Sequence, residues 1–130
     1  MITWRVRPSS ELVSQEIQEI FKDSNIKGIC QSALRLLQQE ADPANPINSD
    51  LNVKHLEHDA PNWYRLRLNN INIRIVFSLN YVREETQSLA EYAYGELPFE
   101  NAENYILIHF IAYRSGSTYI DVRSRWKRTR

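Results

Sequence analysis

Three arginines, Arg65, Arg67 and Arg74, lie in the tract from Trp63 to Ser78, where polar and apolar residues alternate. Successive strand side chains point to opposite faces, so Tyr64, Leu66 and Leu68 share one face while Arg65 and Arg67 share the other. Beyond Asn69-Asn70, a dipeptide that tolerates positive φ in a tight hairpin turn, Ile73, Ile75 and Phe77 continue the apolar set and Arg74 joins the arginines. Neighbouring guanidinium groups repel one another unless an anion compensates. Phosphate, which arginine can grip bidentately, is the natural anion. Guanidinium keeps its proton at any useful pH, so these residues can hold a phosphate and stabilise charge growing on it, but they cannot act as a base.

Groups that move protons must therefore come from elsewhere. The stretch Asn48 to Asn62 reads as a polar loop that delivers Lys54, His55, Glu57 and His58 just ahead of the first arginine strand. A positioned acid or base contributes ~10²–10⁴ in rate, although most histidines in exposed loops do no chemistry. Trp63 offers a ring on which an RNA base can stack, and Tyr113 is a second such ring; an aromatic at a strand start more often packs. His109 interrupts an apolar strand and reads as a hydrogen-bonded core histidine on the face of Leu107 and Ile111. Cys30 is the only cysteine, so there is neither an intrachain disulfide nor a cysteine metal site. No metal or other cofactor is expected.

A later apolar strand, Tyr105 to Tyr113, runs into Arg114-Ser-Gly-Ser-Thr-Tyr119. Taken together, the tract YRLRLNNINIRIVFSL, this strand and the closing YRSGSTY resemble the RelE/ParE superfamily of bacterial toxins, in element order over roughly residues 1 to 80 and 105 to 125. The resemblance implies a small toxin that cuts messenger RNA on the ribosome through 2′-oxygen attack, or one that poisons DNA gyrase. In RelE-type nucleases the positions matching Arg65 and Arg67 are basic, often lysine. Those matching Arg74 and Arg114 are characteristically arginine, and a tyrosine lies near the C-terminus, here Tyr119. By that resemblance Arg65, Arg67, Arg74, Arg114 and Tyr119 form the catalytic set. Lys54, His58, Trp63, Arg123, Arg125 and Lys127 then serve as RNA contacts. With arginine in place of lysine at the first two positions, proton transfer falls to Tyr119, His55, Glu57 or His58. An antitoxin protein that covers the basic face is the implied partner; the oligomeric state stays open. Two alternatives remain, a non-catalytic binder of the same fold and a degenerate relative blocked by its own acidic segment.

The elements that must position these residues are legible in part. Residues 2 to 7 alternate as a strand. Pro8-Ser9-Ser10 offers a cap for a helix with Leu12, Val13, Ile17, Ile20 and Phe21 on one stripe. Asp23-Ser24-Asn25 breaks it and caps a second helix, in which Ile26, Ile29, Cys30, Ala33, Leu34 and Leu37 form the buried stripe until Asp42-Pro43 stops it. The expected architecture is α+β, an antiparallel or mixed sheet of about four strands with an N-terminal helical hairpin packed on one face, RelE-like. The arginine strands are joined to the last strand through an acidic insertion at about 83–104, of which 83–95 could be helical. A basic tail follows at about 122–130.

A length of 130 residues fits one domain, and 42% hydrophobic with 25% charged residues describes an ordinary folded protein. The longest apolar run is far shorter than the ~20 residues a membrane span needs. The opening Met-Ile-Thr-Trp-Arg-Val-Arg lacks the apolar core of a signal peptide, and a cytoplasmic location is the default expectation. Net charge is zero, but it is segregated: the segment 83–104 holds six acids and one base, −5, and the remainder holds 15 bases and 10 acids, +5. The last eight residues carry five bases and no acid. Such segregation creates a field that steers an anionic partner.

Overall fold

The computed structural model describes residues 4–68, 71–80, 104–114 and 118–128. Within them the order is β1 (Trp4–Pro8), α1 (Glu11–Ile20), α2 (Ser24–Gln38), β2 (Asn52–His55), β3 (Tyr64–Leu68), β4 (Ile73–Asn80), β5 (Asn104–Tyr113) and α3 (Thr118–Arg128). The fold is α+β. One mixed sheet runs β1-β5-β4-β3-β2, antiparallel throughout except for the parallel pairing of β1 with β5.

Both helices of the hairpin start as their sequences demand. Val13 N–H donates to Ser10 Oγ at 3.3 Å, and Asp23 Oδ1 accepts from the N–H groups of Asn25 and Ile26 at 2.9 and 3.2 Å, satisfying donors that have no partner inside the helix. The stripes Val13, Ile26, Cys30, Leu34 and Leu37 are buried against Leu66, Leu68, Ile73, Ile75, Phe77, Ile106, Ile108 and Ile111, with Ile17, Phe21 and Ile29 packed at the margin. Trp4 of β1 belongs to the same core. Burial pushes the Cys30 thiol pKa up to about 11, as fits an inert packing residue.

Four features differ from the expectation. The sheet has five strands instead of about four, because Asn52–His55, read as loop, pairs with β3 along Asn52↔Arg67 and Lys54↔Arg65. The helical hairpin does not open the chain; it follows β1, which reaches across to β5. The basic C-terminal segment is a helix, α3, laid on the opposite side of the sheet from α1 and α2. There Val122 and Trp126 pack with Leu56, Ala60, Trp63, Val76 and Phe110 in a second, smaller core. Finally, β5 carries a bulge: Val76 pairs with Phe110 but Phe77 pairs with Ile108, leaving His109 as the extra residue. Alternation is broken there, so His109 faces the second core, away from Ile111. The hairpin turn Asn69-Asn70 and nearly all of the acidic insertion lie outside the described residues. No described helix is long and apolar enough to cross a membrane.

Candidate functional site

The arginines do share a face. Register places Asn52, Arg67, Arg74 and Ala112 in one row across β2, β3, β4 and β5, and Lys54, Arg65, Val76 and Phe110 in the next. Their strand neighbours Leu66, Leu68, Ile73 and Ile75 point into the main core. Arg67 thus stands directly opposite Arg74, and Lys54 directly opposite Arg65. Unlike-charge partners would stabilise such pairs, whereas like charges opposite one another are unfavourable. The sheet tolerates four cations in two adjacent rows.

Their environments differ. Arg67 and Lys54 are exposed, and Arg65 is half-buried, its Nη2 donating to Asn52 Oδ1 at 3.4 Å while its Nε is buried without a hydrogen-bond partner. Arg74 is 3% exposed and donates from Nη1 to the carbonyl of Ile73 at 3.3 Å. Arg114 lies just beyond β5 and is exposed; its backbone N–H donates to Asn72 O at 2.8 Å and its carbonyl accepts from Asn72 Nδ2 at 3.3 Å. That bracket holds Arg114 opposite Asn72, one row on from Arg74 and Ala112. Tyr119 is the second residue of α3, and its side chain lies outside the described part of the structure.

Of the expected RNA contacts, several are committed internally. Trp63 is 5% exposed and its ring stacks on His109, centroids 4.0 Å apart and planes 8° from parallel, so that face of the ring is taken up by packing. Arg125 donates to Glu16 Oε2 at 2.9 Å and to the carbonyl of His109 at 2.8 Å, with its guanidinium 5.0 Å from the centre of the Phe110 ring. It ties α3 to α1 across the sheet edge and does not reach solvent as a free cation. Arg123 grips Asp59 with Nη2 at 2.6 Å and Nε at 3.2 Å. Lys127 and His58 are exposed. His55 stacks on Tyr64 at 5.0 Å and accepts from Asn62 N–H at 3.4 Å, which makes it part of the scaffold of the 56–63 loop.

One constellation escaped the sequence. The bulge brings His109 Nε2 to 2.7 Å from Ser78 Oγ, next to Trp63. His109 is 8% exposed, and burial, aided by the nearby charge of Arg125, lowers its pKa to about 4, so the ring is neutral near pH 7. The sequence signal was a histidine inside an otherwise apolar strand; its reading as a hydrogen-bonded core residue on the face of Leu107 holds, and strict alternation erred only in grouping it with Ile111. No group of three or more His, Cys, Asp or Glu suited to a metal ion occurs among the described residues. Compared with known proteins, the chain matches no family model, no curated protein and no solved structure.

Proposed function

We propose that this protein is a RelE-like toxin, a cytoplasmic endoribonuclease that binds messenger RNA on the ribosome with its arginine face and cleaves it by 2′-oxygen attack without a metal. The observation that carries the reading is the pairing of Arg67 with Arg74 and of Lys54 with Arg65 on one sheet face, a concentration of charge that an RNA backbone would neutralise. In this reading Arg67, Arg65 and Arg114 hold the scissile phosphate, and Tyr119 exchanges a proton with the reacting oxygens. An antitoxin would bind the same face to silence it.

A second reading, a non-catalytic binder of the same fold, is favoured by one observation: Arg74 is buried, where it cannot touch a phosphate without rearrangement. Primer extension on messenger RNA after induced expression separates the two. Breaks that require ribosomes support the nuclease; growth arrest with intact messenger RNA supports the binder; and no RNA affinity in the purified protein at low salt removes the nuclease reading.

A further inference from the structure

At Trp63, two residues before Arg65 and about 7 Å away at ~3.4 Å per residue, the second face of the sheet opens into a cleft of about 420 Å³. Pro61, Asn62, Trp63, Ser78, His109 and Trp126 line it. Its size suits a ring-sized ligand group. Among the described residues the lining carries no formal charge, because His109 is neutral, yet it holds hydrogen-bonding groups of both kinds.

The polar chemistry is set by His109. Its Nε2 shares a hydrogen with Ser78 Oγ, and its Nδ1 is buried with no hydrogen-bond partner. Were the proton on Nδ1, a buried N–H would lack any acceptor, the less common kind of unsatisfied group. We therefore assign the proton to Nε2, which donates to Ser78 Oγ. Two consequences follow. His109 cannot take the serine's proton, so the pair is not a nucleophile and its base. And the Ser78 hydroxyl, already accepting from His109, has its own hydrogen left to donate into the cleft. Asn62, exposed and also lining the cleft, adds an amide that both donates and accepts.

An uncharged, aromatic-walled cleft with one hydroxyl donor and one amide, a single row from a cationic platform, reproduces the division within a nucleotide between a neutral heteroaromatic base and an anionic phosphate. We propose that the cleft receives one unstacked base of a single-stranded RNA whose backbone lies on the arginine face, with a base carbonyl or ring nitrogen accepting from Ser78 and the base edge meeting Asn62. The inference rests on the RNA reading for the source of the base, while the cleft's affinity for a base can be measured alone.

The three indole N–H groups provide the readout, since Trp63 and Trp126 line the cleft and Trp4 lies in the other core. In nitrogen–proton correlation spectra, titration with each of the four ribonucleosides, which carry no phosphate, should shift the Trp63 and Trp126 indole signals saturably for at least one base and leave Trp4 in place. Ser78→Ala should weaken that response roughly tenfold, the worth of one hydrogen bond, and the exposed-site variant Asn62→Ala should weaken it as well. Arg67→Ala should not change it, but should weaken binding of a mixed-sequence RNA oligonucleotide. The proposal is overturned if no ribonucleoside moves either cleft indole, if Ser78→Ala and Asn62→Ala both respond like the parent, or if the oligonucleotide binds while both cleft indoles stay still; in the last case the RNA reading survives. Shifts with a nucleoside but no binding of the oligonucleotide would support the cleft as a base site and remove the RNA reading instead.

Discussion

His109 makes this protein's stability depend on pH in a direction fixed by where the ring sits. Its folded pKa of about 4 lies below the ordinary value of 6.5, so as pH falls below 6.5 the unfolded chain takes up a proton that the folded one refuses. The stabilisation is fully present above pH 6.5 and is lost progressively toward pH 4, reaching roughly 3 kcal/mol. Urea unfolding between pH 7.5 and 4.5 should show this loss, and His109→Gln should flatten the slope; an equal slope in the variant would mean that other groups control it. Arg67 is the residue for the complementary test. It is exposed, so Arg67→Ala should leave the thermal transition within a degree or two. RNA binding should weaken, and the salt dependence should flatten by roughly 0.7 in log–log slope, the share of one phosphate on a single strand. The buried Arg74 should behave oppositely, with Arg74→Ala lowering stability by about 1–3 kcal/mol through unsatisfied neighbours and lost packing before any effect on RNA is read.

The Glu16 to Arg125 bridge ties α3 to α1. Both side chains are largely buried, at 27% and 15% exposure, so the bond is screened less than a surface pair. Glu16→Gln should cost about 1–3 kcal/mol, and a double-mutant cycle with Arg125→Met should return most of that as coupling. Additive losses would show that the two residues act separately. Element by element, legibility in the sequence followed the amount of apolar patterning. β3 and β4 declared themselves because Leu66, Leu68, Ile73, Ile75 and Phe77 alternate with arginines, and α1 and α2 because their stripes are long. β2 did not, since of Asn52-Val53-Lys54-His55 only Val53 is even partly buried. α3 did not, because Val122 and Trp126 are its anchors amid four basic residues. The arginine face was legible from spacing alone. The Ser78 and His109 pair was not, because a bulge is a property of strand pairing and leaves no local pattern.

At the scale of the molecule, the acidic segment and the sheet can be separated by experiment. Asn80 pairs with Tyr105, so the ends of β4 and β5 are already neighbours, and a short glycine-containing turn in place of residues 84–102 should close the gap. The thermal transition should be preserved and RNA affinity raised, because the acids removed would otherwise compete for the cationic face; unchanged affinity would discard autoinhibition. The parallel pairing of Trp4 with Asn104 and of Pro8 with Ile108 has a consequence in time. During synthesis β1 must wait for β5 before it has a partner, whereas β2, β3 and β4 can form a meander among themselves as they emerge. A chain arrested anywhere before β5 therefore presents an unpaired N-terminal strand and a helical hairpin with half its floor missing. Such long-range closure slows folding, and the finished sheet can appear only after β5 has been made.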